Sequence, residues 1–210
     1  MVAWLSVLSC PAAAQEFSGE LVATQTAGRP AVNAGKLYAA KGAVRIETPD
    51  LPGSFFLVES KAGSAYLVRP AQHIFMDAKQ SSRLTQIFVP VDPDNPCGEW
   101  EAMAIVAGPT VQDGKWHCQR VGPDIVAGRQ VVKYRVTSSQ GPADYGWIDP
   151  RLRFPIMFQY PDRTKVQIVN IREEPQRAGL FEFPPNFQKF DPLQLIERIK
   201  HSDVWMDPPR

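Results

Sequence analysis

The sequence lacks most of the features that indicate an enzyme, a nucleic-acid binder or a membrane-spanning protein. It contains no G-x-S-x-G, H-E-x-x-H, G-x-G-x-x-G or C-x-x-C motif, and no set of acid, base and nucleophile stands out. Its 23 basic and 22 acidic residues leave a net charge of +1 and form no basic stripe. Beyond the N-terminus, no segment approaches the ~20 apolar residues of a membrane span. We therefore expect neither an enzyme nor a nucleic-acid-binding protein.

Metal-binding patterns are also missing. His73, His117 and His201 are scattered along the chain, whereas a metal site needs at least three converging ligands. Asp92 and Asp94 resemble the start of a calcium loop, but prolines interrupt it and no closing glutamate follows. We expect no metal and no other cofactor.

Residues 1–14 have the pattern of a signal peptide. An apolar run, Val2 to Leu8, precedes three alanines that end at Ala14, before Gln15, as in an A-x-A cleavage site. The alternative is a buried N-terminal strand. The residues before Cys10 also resemble a lipobox, which would tether the protein to a membrane, but the alanines favour ordinary cleavage and a periplasmic product.

After the predicted signal peptide two cysteines remain, Cys97 and Cys118. An even number of cysteines in an exported chain favours a disulfide, which would contribute about 3 kcal/mol to stability. A free catalytic thiol is the alternative, but neither cysteine has an evident base and third partner.

Residues 33–77 predict a β-meander. Short apolar stretches alternate with turns of two to five residues, too short for parallel crossovers. Val44 and Ile46 alternate with Arg45 and Glu47, as in a sheet with one wet face. The predicted strands are Gly35 to Ala40, Ala43 to Thr48, Phe55 to Glu59, Ser64 to Arg69 and Gln72 to Asp77.

The strands at 55–58 and 65–68 are apolar on both faces, so another element must cover their second face. Two amphipathic helices are candidates. One spans Gly98 to Ala107, and the other spans 191–201 after the start signal Asp191-Pro192. Docking on the sheet as ordinary core is the simplest role for both helices.

Strands are also predicted on both sides of this meander. Before it, Glu16 to Thr26 predicts an exposed first strand, and further strands follow the first helix. The fold class is mainly β with two covering helices, with about ten antiparallel strands. We expect one domain over 15–210, since no linker or repeat divides it. The later predicted strands are Trp116 to Val121, Gln130 to Ser138, Asp144 to Asp149, Pro155 to Tyr160 and Thr164 to Ile171.

The order of these pieces resembles the bacterial Lol-type (LolA-like) periplasmic lipoprotein carriers. The resemblance covers about residues 16–190 and rests on Gly-Lys-Leu-Tyr, Val-Arg-Ile-Glu, Ala-Tyr-Leu-Val-Arg-Pro, Gly-Trp-Ile-Asp and the closing Leu180 to Phe187. It implies a curved antiparallel sheet, an open half-barrel whose concave face is closed by helices and holds acyl chains. The cysteine pair and the proline-rich stretch 90–96 depart from the pattern, and no residue matches a specific lipid-anchor contact.

Two functions follow. The first is a non-catalytic, monomeric periplasmic protein that binds a lipid, fatty acyl chain or lipoprotein in an apolar cavity. The second is an envelope interaction or sensor module with a solid core, which binds a protein partner through an edge strand or the 90–96 loop. Apolar side chains at these positions are more often ordinary core than cavity lining. The candidate cavity residues are Phe56, Val58, Tyr66, Val68, Trp100, Met103, Trp147 and Phe158.

Overall fold

The computed structural model describes residues 16–25, 30–60, 62–78, 82–106, 116–137 and 142–191. These residues form a 12-stranded sheet, antiparallel except at one edge, and two helices. The predicted signal peptide 1–14 with Cys10, and the predicted helix 191–201 beyond its first residue, lie outside the described residues and stay predictions. Within the described part of the chain, no helix has the length and apolar character needed to cross a bilayer.

The predicted meander is present. The predicted alternation is seen in the third strand, where Val44 and Ile46 are buried and the alternating residues Arg45 and Glu47 are half-buried. A three-residue 3-10 turn, Pro70–Gln72, delays the sixth strand by two residues relative to the sequence prediction. The strands are β1 (Phe17–Thr24), β2 (Val32–Ala40), β3 (Ala43–Glu47), β4 (Phe55–Glu59), β5 (Ser64–Arg69) and β6 (Ile74–Asp77).

A second meander follows the helices. Its first strand is longer than predicted and runs through Gly122-Pro123, since β7 is paired along one side alone among the described strands and tolerates a proline. The strands are β7 (His117–Val126), β8 (Arg129–Thr137), β9 (Asp144–Asp149), β10 (Phe154–Gln159) and β11 (Lys165–Arg172), and a short β12 (Gln188–Lys189) closes the described chain.

Strand β1 joins the two meanders, so the prediction of an exposed first strand was wrong. It pairs with β2 on one side and β11 on the other, and Phe17 and Leu21 are almost fully buried. The sheet order is β12-β6-β5-β4-β3-β2-β1-β11-β10-β9-β8-β7, with β7 and β12 as unjoined ends. Sequence alone did not show this, because the β1–β11 pairing joins segments about 150 residues apart.

One face of the sheet, here the helical face, carries the main core. Val44, Ile46, Phe56 and Val58 point to it and pack in one cluster with residues of the crossing segment 84–106. That segment contains a single helical turn, α1 (Leu84–Ile87), which the sequence analysis missed, and the predicted helix, observed as α2 (Pro96–Val106). The predicted disulfide is confirmed, because Cys97 in the first turn of α2 is bonded to Cys118 of β7.

The opposite face, here the outer face, is covered differently from the prediction. Phe55, Leu57 and Val68 form a second buried cluster. Three aromatic side chains from an extended segment pack against it, and Arg45 stacks its guanidinium 3.5 Å above the Phe55 ring while donating a hydrogen bond to the Leu180 carbonyl at 3.4 Å. In the described residues no helix covers this face; the covering side chains are Phe181, Phe183 and Phe187.

Candidate functional site

The eight residues predicted to line a cavity lie in two separate places. Six belong to the main core, whereas Tyr66 and Val68 belong to the cluster on the outer face. Consecutive residues of a strand point to opposite faces, and even within the main core Trp147 follows Gly146 and so points away from Trp100; the eight residues therefore cannot all border one cavity. Their role in binding stays a prediction. The six in the main core are Phe56, Val58, Trp100, Met103, Trp147 and Phe158.

Trp100 fills the helical face at the centre of the second meander. Its side chain is 1% exposed, its ring meets the Phe158 ring edge-on at 5.7 Å, and its Nε1–H donates to the Ile87 carbonyl at 2.9 Å. The Trp100 ring lies against the backbone of Gly146, which has no side chain. A side chain held this way is packed core, so α2 is an anchored cover at this point.

Trp147 follows Gly146 in β9, so its side chain points to the face of the sheet opposite Trp100. It pairs with Lys133 of β8 and Met157 of β10, and the Lys133 ammonium lies 4.8 Å from its ring centroid. Its Nε1–H donates to the Asp124 carboxylate at 2.8 Å, and this hydrogen bond is the main cause of the lowered pKa of Asp124.

A cleft of about 920 Å³ opens where β1, β2 and β10 meet the segment that precedes α2. This volume lies within the ~300–1,000 Å³ range of small-molecule sites. Apolar side chains form its floor and charged side chains lie around them. The floor residues are Phe17, Ala39, Ala40, Val91, Leu152 and Phe154; the charged residues are Glu16, Lys41, Asp92, Glu99, Arg151, Arg153, Glu173 and Glu174.

One wall of the cleft is an irregular segment tied to the end of the sheet. The Val91 N–H donates to the Arg153 carbonyl at 2.9 Å, and the Tyr134 hydroxyl donates to the Pro93 carbonyl at 2.6 Å. A longer contact of 3.3 Å joins Arg153 to Asp92. The wall is therefore fixed although it has no regular secondary structure.

An ion-pair network stands beside the cleft. Arg129 bonds both Asp149, whose side chain is 4% exposed, and Glu173, at 2.8 Å, and Arg151 reaches Glu173 at 2.7 Å. Partial burial would lower the pKa of Arg129, but the hydrogen bonds to Asp149 and Glu173 outweigh it and raise that pKa. The hydrogen bond from Arg129 lowers the pKa of Glu173. These charges stabilise the turn between β9 and β10, which carries Leu152 of the cleft floor.

Glu99 of α2 differs from the other acids of the cleft. Its Oε2 atom is inaccessible to solvent and has no hydrogen-bond partner among the residues that the structure describes. The residue lies between two anchors of the helix, the disulfide at Cys97 and the buried ring of Trp100. One oxygen of this carboxylate is therefore buried without a hydrogen bond from any described residue.

The apolar floor of the cleft was not predicted from the sequence. Phe17, Ala39 and Phe154 come from strands distant in sequence, and only the β1–β11 closure brings them together. One signal was available, since the proline-rich stretch 90–96 was the longest irregular stretch that the sequence predicted, and three of its residues line the cleft. Among the described residues, no group of three or more His, Cys, Asp or Glu side chains could hold a metal ion.

Comparisons with known proteins concern the fold. No protein-family model matches the chain, and no curated protein matches it significantly. The structure of PNGF-II is 9% identical, with a TM-score of 0.52 over 90% of this chain and 33% of that chain. The chain thus spans about a third of PNGF-II, and the likeness shows a shared fold.

Two further structures are more distant. MucB in the MucA/MucB complex of Pseudomonas aeruginosa is 12% identical, covering 84% of this chain and 58% of that chain, with a TM-score of 0.43. A domain from Vibrio parahaemolyticus described as an outer membrane lipoprotein-sorting protein is 10% identical, covering 80% and 89%, with a TM-score of 0.32. The coarse architecture, a large open and mostly antiparallel sheet with two helices, is the part of the prediction that the structure confirms.

Proposed function

We propose that this chain is a non-catalytic protein of the cell envelope that holds an amphipathic, acyl-bearing ligand in its cleft. The observation that carries the proposal is the cleft of about 920 Å³ with an apolar floor and a charged rim. An acyl chain would bury its surface on Phe17, Leu152 and Phe154, and each buried methylene contributes about 0.8 kcal/mol. The polar head would stay among the charges of the rim.

The rigidity of the walls supports this function. The segment 90–93 is hydrogen-bonded to the sheet end, and α2 is fixed by a disulfide and by Trp100. A cleft that keeps its shape without ligand loses less conformational entropy on binding. In this proposal the open sheet is the half-barrel that the Lol-type resemblance implies, and its free volume is the cleft lined by the ends of β1 and β2 and by the turn between β9 and β10.

The proposed location is the periplasm. The signal pattern at 1–14 and the disulfide both fit a chain that folds in an oxidising compartment. A lipid or the acyl group of a lipoprotein would be the ligand there.

Filling the cleft tests the proposal. Ala40 lines the cleft at the end of β2, so Ala40→Trp should occupy it. Native mass spectrometry after purification from a bacterial periplasm should show a bound lipid or fatty acid on the wild type and a loss on the variant. Ala102→Trp, at an exposed position of α2, is the matched control and should keep the ligand. An apo mass for the wild type, with no uptake of added phospholipid or fatty acid, would contradict the proposal.

A second candidate function is binding of a protein partner through β7. This strand pairs with β8 alone among the described strands, and it exposes Val121 (56%) and Ile125 (71%), unusual for large apolar side chains. Strand addition at such an edge is a common mode of peptide binding. A Val121→Lys, Ile125→Lys variant should lose a crosslinked partner and keep lipid uptake. The reverse result would favour the cleft.

A further inference from the structure

A second pocket, here the outer-face pocket, has a volume of about 400 Å³. Its floor lies on a row of paired residues that crosses the outer face of the sheet. Arg172 of β11 is opposite Ser18 of β1, and Ser18 is opposite Tyr38 of β2. Tyr38 in turn pairs with Arg45, whose guanidinium lies over the Phe55 ring on that face. The pocket therefore opens on the opposite side of the sheet from the apolar floor of the cleft.

The wall of the outer-face pocket is the segment 174–180, which follows β11. The Gln176 N–H donates to the Glu16 carboxylate at 2.7 Å. The Leu180 carbonyl accepts a hydrogen bond from the Arg45 guanidinium at 3.4 Å. These two contacts tie the wall to the sheet, so the pocket has its shape before a ligand binds, which lowers the entropy lost on binding.

Three cations from three separate segments line the outer-face pocket: Lys36 of β2, Arg172 of β11 and Arg177 of the wall. All three residues are exposed, so a ligand in the pocket can reach them. Within the described parts of the chain, none of the three forms an ion pair. Two carboxylates also line the pocket, those of Glu20 and Glu174, so the lining has a surplus of one positive charge.

The register of the strands explains why Lys36 has no described ion-pair partner. It is directly opposite Glu20 of β1 and Glu47 of β3, the cross-strand positions where opposite charges attract. The Glu20 carboxylate instead accepts a hydrogen bond from the Asn170 amide at 3.0 Å. The Glu47 carboxylate pairs with Arg45 at 2.8 Å. Because both carboxylates bind other residues, the Lys36 ammonium is available to an anion in the pocket.

We propose that the outer-face pocket binds the phosphate group of a small phosphorylated molecule. A phosphate monoester carries a charge of about −1.5 to −2 at pH 7 and has three strong acceptor oxygens. Guanidinium groups bind such oxygens in pairs, so Arg172 and Arg177 are the main contacts. Lys36 adds a third positive charge, and the hydroxyls of Ser18 and Tyr38 are further donors. This inference is independent of the proposed function, because the pocket lies on the other face of the sheet.

Two-dimensional NMR of the backbone N–H groups tests the proposal on the folded full chain at pH 7 and low salt. The probes are inorganic phosphate, glycerol 3-phosphate and dihexanoyl phosphatidic acid below its critical micelle concentration, and glycerol is the neutral control. We expect saturable shifts at Gly19 and Gln176, which line the pocket, with glycerol 3-phosphate and none with glycerol. The probe that binds most tightly distinguishes a site for free phosphate from one for a polar phosphate ester or a lipid headgroup.

Removing two positive charges from the pocket should weaken the binding. An Arg172→Gln, Arg177→Gln variant should bind glycerol 3-phosphate about ten-fold more weakly, since each guanidinium loses a charge-assisted contact. An Arg120→Gln, Arg135→Gln variant is the matched control. It makes the same change in net charge at exposed positions of β7 and β8 that line neither this pocket nor the cleft, and it should bind as the wild type does.

Two results would overturn the phosphate site. One is the absence of saturable shifts at Gly19 and Gln176 with all three phosphate probes. The other is equal binding by the two double variants, which would mean that net charge alone attracts the anion. Neither result bears on lipid uptake by the cleft, and the wild-type titration needs no variant, so a folding defect in a variant would not block the test.

Discussion

The ring of Trp100 lies directly on the backbone of Gly146. A Cβ atom placed on Gly146 would come within 2.5 Å of Cη2 of Trp100, closer than real side chains approach. Trp100, the largest fully buried side chain among the described residues, therefore needs a residue without a side chain opposite it. This one contact sets how closely α2 packs on the sheet, and through α2 it positions Glu99 at the cleft.

Gly146→Ala should destabilise the protein by overpacking. We expect the free energy of unfolding to fall by about 1–3 kcal/mol, because the indole is confined by Phe158 and the hydrogen bond to Ile87. Urea denaturation measures the change. Gly179→Ala, where an added Cβ meets nothing within 4 Å, is the control and should be nearly neutral. Equal stability of the two variants would show that the Trp100 ring moves freely.

The disulfide should stabilise the protein through the loop that it closes. Cys97 and Cys118 are 21 residues apart, and on the chain-entropy model their bond contributes about 3 kcal/mol. A Cys97→Ser, Cys118→Ser variant should lose this amount in urea denaturation. Alkylation of the unfolded wild type should add two more labels after reduction than before. Equal labelling without reductant would contradict the bond.

Asp144 should make stability depend on pH. The pKa of its carboxyl is raised from 3.8 to about 6, chiefly by burial; the charge of Arg83 opposes this rise and that of Asp162 adds to it. The Tyr160 phenol lies in the same group, and burial raises its pKa to about 12. Within the described parts of the chain the buried Oδ1 atom of Asp144 has no hydrogen-bond partner, which agrees with a raised pKa for this carboxyl.

The sign of the effect follows from linkage. Between pH 3.8 and about 6 the folded protein binds more protons at Asp144 than the unfolded chain does, so stability from this group falls as pH rises and is constant above that range. Asp144→Asn should therefore be more stable than the wild type at pH 7, and the difference should shrink towards pH 4. Thermal melts at several pH values measure this. A difference that is independent of pH would contradict the assignment.

Two aspartates that pair with arginines should differ in their contribution to stability. Asp149 is buried and accepts hydrogen bonds from Arg129 and from the backbone of Arg151 and Leu152. Asp149→Asn should lower the free energy of unfolding by about 3 kcal/mol, because it removes the negative charge that compensates the partly buried Arg129. Asp92→Asn breaks the exposed pair with Arg153 and should cost less than about 1 kcal/mol. Urea denaturation measures the loss of unfolding free energy in each variant. Similar losses would contradict the expectation that the buried ion pair contributes more than the exposed one.

The predicted cavity residues show what sequence reasoning can and cannot find. Phe56 and Val58 were correctly placed as apolar strand positions, because period-two alternation is local. Tyr66 and Val68 were assigned to the same cavity although they face the outer side, since alternation does not say which face is which. Trp147 was chosen for its size, but its register with Lys133 turns it away from Trp100.

The sequence by itself determined the two meanders, helix α2, the disulfide and the need for a cover on both faces. All of these depend on neighbouring residues: the alternation of side chains, the turn residues, the proline just before the predicted helix start at Gly98 and the even count of cysteines. Only the tertiary structure decided that β1 lies between the meanders, that aromatic side chains of 181–187 cover the outer face, and that a cleft remains at the ends of β1 and β2. These features arise from contacts between distant segments, which no local pattern specifies.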